Sequence, residues 1–208
     1  NGEAALHESV NFAGNWHGKA DGRITTMLAP HAPYTCPPDY LKKVMDYADQ
    51  LGTGIHIHLA ETLSEVAEIE KTYGKRPVEL MHDIGLFERH VLGAHMVYVN
   101  EREIEILAEK KVGVAHNPQS NMKLASGIAP VTKMLEKGVS VALGTDGASS
   151  NNNLDMIEEM RSASLLQKVA TMDPTSLPAY QAIEMATRNG ASVLRMEKEI
   201  GQIEVGKK

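Results

Sequence analysis

The stretch GIHIHLAET, residues 54–62, brings His56, His58 and Glu61 close together along the chain. Ile55, Ile57 and Leu59 alternate with the histidines, which is the period-two pattern of a strand. Both imidazoles therefore leave the same face. Taken alone, such a pair reads equally well as hydrogen-bonded core histidines or as part of a metal site. The other strand-like runs weigh on the choice. One runs into His31 in PHAP, one carries His95, one ends at His116-Asn117-Pro118 and one ends at Asp146 in GTDG. Imidazole and carboxylate suit zinc, iron or manganese, and a catalytic site keeps one position open for water. A bound metal lowers the pKa of that water toward about 7. One carboxylate can then take a proton from the water and a second can protonate the substrate. The residue types thus point to metal-assisted hydrolysis.

These groups need elements that deliver them to one place. Strands are expected over 23–30, 54–60, 90–99, 112–118 and 139–146. Between them lie amphipathic helical stretches. CPPDYLKKVMDYADQLG has Asp39 as a candidate N-cap and an apolar stripe of Leu41, Val44, Met45, Ala48 and Leu51. SEVAEIEKTYG, RPVELMHDIG and IAPVTKMLEKG read as helices, with Pro77 suited to a first helical turn. Asn100 and Glu103 form a capping pair for EREIEILAEKKVG, and further helices start from Leu154 and Ala179. Strand and helix in strict alternation give an α/β fold with parallel strands. No glycine-rich phosphate fingerprint follows the first strand, which counts against a dinucleotide-binding sheet. The carboxyl ends of parallel strands are where a (β/α)8 barrel builds its active site, but such a barrel takes roughly 250 residues. An open sheet and a part of a barrel both remain.

Bulk properties narrow the function classes. The chain has 208 residues, 42% hydrophobic and 23% charged, as in an ordinary globular protein. A formal net charge of -6 argues against a nucleic-acid partner. No apolar run approaches the ~18 residues of a membrane span, and the amino terminus lacks the pattern of a signal peptide. Cys36 is the single cysteine, so no internal disulfide forms and a reducing, cytoplasmic setting is expected.

APHAPYTCP, IHLAET, GAHMVYV, HNPQSNMKLASGIAP and LGTDGASSNNNLDMIEEMR resemble, in order, stretches of the amidohydrolase superfamily. The likeness is to its branch of adenosine-type deaminases acting on 5′-methylthioadenosine and S-adenosylhomocysteine. It implies a partial (β/α)8 TIM-type barrel, strands four to eight with their helices. Residues 1–208 would then be the carboxyl-terminal portion of a metal-dependent hydrolase barrel, without its first three strands and its β-sandwich.

The resemblance also implies roles. His58 and Asp146 would bind one divalent metal, zinc ahead of iron, and Asp146 would be the general base for attack by metal-bound hydroxide. Glu61 would be the acid for the purine ring nitrogen and a substrate contact, and His31 a further substrate contact. His95 would orient or polarise the attacking group, or ligate directly. His56 would be a packed, hydrogen-bonded interior residue, and His116 and Asn117 would support the site. His7, His17, His82 and His90, with no motif around them, read as surface residues. The implied substrate is a purine nucleoside or related heterocycle. Guanine or cytosine deamination, triazine dechlorination and an inactive metal-binding fragment are the alternatives. The family's first-strand His-x-His pair is absent, and NGEAALHESV lacks the arginines expected for substrate recognition. The exposed edges and interior of a partial barrel favour a homo-oligomer.

Overall fold

The computed structural model describes residues 2–208. The strands are β1 (Met27–Leu28), β2 (Gly54–Leu59), β3 (Val91–His95), β4 (Gly113–His116) and β5 (Val141–Leu143). They lie side by side in chain order, and every neighbouring pair is parallel. Consecutive parallel strands need a crossover each, and helices supply it. Ahead of β1 come α1 (Gly2–Trp16) and a left-handed turn, α2 (Lys19–Gly22). α3 (Pro38–Leu51) leads to β2, and α4 (Leu63–Tyr73) with α5 (Pro77–Asp83) leads to β3. α6 (Glu101–Glu109) leads to β4, and α7 (Pro118–Lys123) with α8 (Val131–Glu136) leads to β5. α9 (Ala148–Asn151), α10 (Met156–Thr171), α11 (Ala179–Ala186) and α12 (Arg188–Val193) follow. Among the described residues no helix is long and apolar enough to cross a membrane.

The pleat sorts side chains onto two faces. Ile55, Ile57 and Leu59 alternate outward from β2 and join Val91, Val114, Val141 and Leu143 in the core beneath the helices. The opposite face carries His56 and His58, whose ladder partners are Leu92 and Ala94. Leu92, Ala142 and Val193 form a separate, smaller apolar cluster on that side. α12 closes the amino-terminal end of the sheet: His90 Nε2 donates to the carbonyl of Val193 at 2.7 Å. A Cβ on Gly113 would lie 2.8 Å from Val193 Cβ, so glycine is what permits this approach.

Most element boundaries follow local chemistry. The Asn100–Glu103 capping box forms as its spacing predicts. Glu103 is fully buried and does more than cap. It also accepts from Arg76 Nε at 2.8 Å and from the Val78 N–H at 3.2 Å, tying α6 to α5. Glu103→Ala leaves buried donors unpaired at a cost of about 1–3 kcal/mol each. The expected result is a drop of at least about 3 kcal/mol in urea unfolding, beyond the loss of an ordinary cap. A drop below about 1 kcal/mol would show that water replaces the carboxylate.

Three expectations need correction. The strand expected over 23–30 is confined to Met27 and Leu28, because on the edge β1 pairs with β2 alone. Pro37, not Asp39, occupies the N-cap of α3, and Asp39 sits in its first turn. The helix expected from Leu154 begins at Met156, where Asp155 caps the Ile157 N–H at 2.8 Å.

Candidate metal and catalytic site

The carboxyl ends of β2, β3 and β5 share a backbone feature. Ala60 (φ 52°), His95 (φ 75°), Met96 (φ 50°) and Asp146 (φ 59°) are all left-handed without being glycine. Such residues cost of order 1–3 kcal/mol each and cluster where side chains must be aimed. The effect is plain at His95. Its ladder partner is Leu59, so a regular pleat would send it to the helix side. Its ring instead stacks on His58 from the opposite face, with centroids 5.4 Å apart and planes at 24°. The break in alternation brings β2 and β3 to one site.

Three histidines are oriented in the same way. His58 Nδ1 donates to the carbonyl of His31 at 2.7 Å. His95 Nδ1 lies 2.9 Å from Asn121 Oδ1, and His31 Nδ1 lies 2.7 Å from the hydroxyl of Thr35, which itself donates to Ala32 O. With Nδ1 carrying the proton in each case, the Nε2 lone pairs are left free. His31 also packs edge-on against His58, with centroids 5.3 Å apart, and against Tyr34. Glu61 comes within 3.8 Å of His95 Nε2 and accepts from Ser126 Oγ at 3.2 Å.

Asp146 is held from two sides, by Ser120 Oγ and by the Gly147 N–H, each at 2.7 Å. Burial alone would raise its carboxyl. Those two hydrogen bonds and the nearby His95 and His58 outweigh it, so Asp146 stays ionised below the ordinary range. Behind it lies Glu159, fully buried on α10. Glu159 accepts from the Gln119 N–H at 3.2 Å and from Asn151 Nδ2 at 2.5 Å, and Asn151 Nδ2 also donates to Thr145 O. Ser120, Asn121, Asn151 and Glu159 lie inside the motif-bearing stretches, yet nothing in their types marks them out beforehand.

The remaining histidines divide differently from expectation. His56 is half-buried, and its imidazole is pushed down by burial and by neighbouring His58 and His95. No hydrogen bond joins its ring to another described residue. His7 is exposed as expected, but His17, His82 and His90 are part-buried. His17 Nδ1 accepts from the Thr26 N–H at 3.0 Å, and His90 anchors α12. Asn117 is buried, and an added Cβ on Gly144 would lie 2.5 Å from its Oδ1, so it backs the turn before Asp146.

His116 is wholly buried, and neither ring nitrogen has a partner among the described residues. Burial, and then repulsion from His95, depresses it to about 3 from 6.5. The unfolded chain therefore binds a proton first as pH falls below 6.5. Stability should drop between pH 6.5 and 3, by up to about 1.4 kcal/mol per pH unit from this one group. His116→Phe should flatten that slope relative to the parent in urea titrations at pH 7, 6 and 5. An unchanged slope would show that His116 already binds a proton in the fold.

These residues can be tested against a divalent metal by their donor chemistry. Ligating histidines characteristically donate their other ring N–H to a carbonyl or similar acceptor, which His58 and His95 do. The carboxylate beside them is ionised. In donor type His58, His95 and Asp146 suit part of a metal's shell, and the two imidazoles are also held by their Nδ1 atoms as ligating histidines are. They do not complete one: among the described residues no three such side chains are arranged to close on an ion.

Known proteins match across nearly the whole chain. A 5-methylthioadenosine/S-adenosylhomocysteine deaminase of Syntrophomonas wolfei is 62% identical over 205 residues, 98% of this chain and 48% of its own length. One from Desulforudis audaxviator is 60% identical over 206 residues, 99% of this chain and 48% of its own. The chain thus spans about half the length of these relatives. Among solved structures, an adenosine deaminase from Xanthomonas campestris with bound zinc superposes with a TM-score of 0.91 at 40% identity. That match covers 97% of this chain and 46% of the other. E. coli guanine deaminase gives 0.87 at 29% identity, over 100% and 48% of the two chains. The five parallel strands correspond to part of these larger barrels. With the model of the amidohydrolase family matched over residues 1–208, the chain belongs to that family.

Proposed function

We propose that this chain is the carboxyl-terminal part of a metal-dependent hydrolytic deaminase of adenosine-type purines, with 5′-methylthioadenosine and S-adenosylhomocysteine as its substrate class. The observation that carries the reading is the meeting of three strand ends at His95, stacked on His58, 3.8 Å from Glu61 and near an ionised Asp146. The names of the relatives at 62% and 60% identity support the substrate class, and the zinc in the 40% identical structure supports zinc ahead of iron.

His58 and Asp146 would hold the metal, with further ligands from the first-strand His-x-His pair of the barrel. When bound, the metal supplies a polarised, readily deprotonated water. The chain's own groups do the rest. Asp146 is ionised, takes a proton from the attacking water and passes it to the amino group, which leaves as ammonia when its bond to the ring carbon breaks. Glu61, reached from the turn after β2, donates a proton to the purine ring nitrogen next to the attacked carbon. Without that proton the ring electrons have nowhere to settle. His95 lies near both carboxylates, with its Nδ1 proton committed to Asn121, and orients the attacking group through Nε2. His31 stands beside His58 with Tyr34 against it and contacts the substrate. The setting is cytoplasmic, and the unpaired edges of β1 and β5 are covered by the rest of the barrel or by a second copy.

The test is ammonia release from 5′-methylthioadenosine, adenosine and guanine by the zinc-loaded chain extended to the length of its relatives. Turnover of 5′-methylthioadenosine well above guanine supports the reading, and the reverse order overturns the substrate class. The 208-residue chain alone should release no ammonia above background, since zinc takes three or four protein ligands and only part of that set is here. Activity near that of the extended chain would contradict the division of ligands.

A further inference from the structure

Glu65 is 3% exposed and belongs to none of the roles assigned above. It sits at the third position of α4, whose N-cap is Thr62, and Thr62 Oγ1 accepts the Glu65 N–H at 3.1 Å. In a capping box the glutamate at this position would return the favour to the N–H of the cap residue. Glu65 reaches further back. Its Oε1 accepts the Ala60 N–H at 2.9 Å and its Oε2 accepts the Glu61 N–H at 2.8 Å. Ala60 is one of the left-handed residues, at φ 52°. Both carboxylate oxygens are thus spent on the strained peptide units that launch Glu61 from the end of β2.

We propose that Glu65 is a positioning residue for Glu61, a two-point clamp on its backbone that holds the acid at the distance the reaction needs. The proposal rests on the deaminase reading for its consequence but not for its geometry. Charge suits the task. A carboxylate at the start of a helix is favoured by the helix dipole, and bonds from N–H to a charged acceptor are the stronger kind. Burial, with the neighbouring Glu61 charge, leaves the Glu65 carboxyl raised on balance, and the N–H bonds offset only part of that rise. Glu61 has few other constraints: Ser126 Oγ at 3.2 Å and His95 at 3.8 Å are loose contacts. A catalytic group displaced by about 1 Å can cost about 10²-fold in rate.

Glu65→Gln is nearly the same shape but can accept only one of the two N–H groups, because its amide nitrogen turns a donor toward the other. Glu65→Asp keeps the charge at the helix start but is one carbon too short for both. Glu103→Gln serves as the control, since Glu103 is equally buried and caps α6, with no bond to the Glu61 segment. In the zinc-loaded extended chain, Glu65→Gln and Glu65→Asp should lower kcat on 5′-methylthioadenosine by about 10- to 100-fold with KM within about 2-fold. Glu103→Gln should lower Tm without a comparable loss of kcat. Hydrogen–deuterium exchange over residues 59–65 should quicken in both Glu65 variants and not in Glu103→Gln. If the two Glu65 variants lose no more kcat per unit of Tm than Glu103→Gln, Glu65 is merely a cap and the proposal is wrong. Exchange that does not quicken in the Glu65 variants overturns the clamp itself. A parent that deaminates nothing, with exchange over residues 59–65 that still quickens in the Glu65 variants, overturns the deaminase reading and leaves the clamp standing.

Discussion

Glu61→Gln in the zinc-loaded extended chain is expected to lower turnover by about 10²–10⁴-fold, the usual contribution of a positioned general acid. Glutamine keeps the length and can still accept from Ser126 Oγ, so the local packing survives. It cannot deliver a carboxylic proton to a ring nitrogen. Glu61 faces His95 at 3.8 Å and stands clear of Asp146's own hydrogen bonds, so zinc content should stay at the parent level. Loss of zinc with intact activity per bound metal would make Glu61 a ligand or the support of one. The acid would then have to be another group.

The second large effect is expected at Asp146. Both of its oxygens receive donors, Ser120 Oγ and the Gly147 N–H. Asp146→Asn removes the charge and turns an amide donor toward one of them. Removing a group that merely supports a ligand typically costs 10–100-fold in metal affinity or activity. Removing the ligand itself should cost more than about 10²-fold in zinc affinity. Turnover should be lost even at saturating zinc, because the proton acceptor is gone as well. Ser120→Ala should fall in the 10–100-fold range in affinity alone. If Asp146→Asn binds zinc as tightly as Ser120→Ala does, Asp146 is not a ligand.

Much of the frame was legible from the chain because local chemistry decides it. Ile55, Ile57 and Leu59 alternate with His56 and His58, and that alternation is β2. Asn100 and Glu103 mark the start of α6 by spacing alone. The strand ends put His31, His58, Glu61, His95, His116 and Asp146 along one rim, and the family resemblance singled out His58, Glu61, His95 and Asp146 among them. What could not be read was how they meet. His95 reaches His58 through a left-handed backbone that no glycine announces. Asn121 binds His95 from 26 positions away and Ser126 binds Glu61 from 65 away, distances at which sequence carries no pairing signal. α7 and α9 are too short to show a helical period, although they hold Ser120, Asn121 and Asn151. His17 and His90 look like surface residues in sequence because their partners, the Thr26 N–H and the Val193 carbonyl, are backbone groups.

Metal-dependent deamination at these strand ends stands or falls with removal and return of the metal. The extended chain is stripped of metal with a chelator, then titrated with zinc while ammonia release from 5′-methylthioadenosine is followed. No activity is expected without metal, and activity should rise in proportion to bound zinc up to one per chain. His58→Ala should abolish both binding and activity together. Full activity in the stripped protein, or one zinc bound with no deamination, would contradict it.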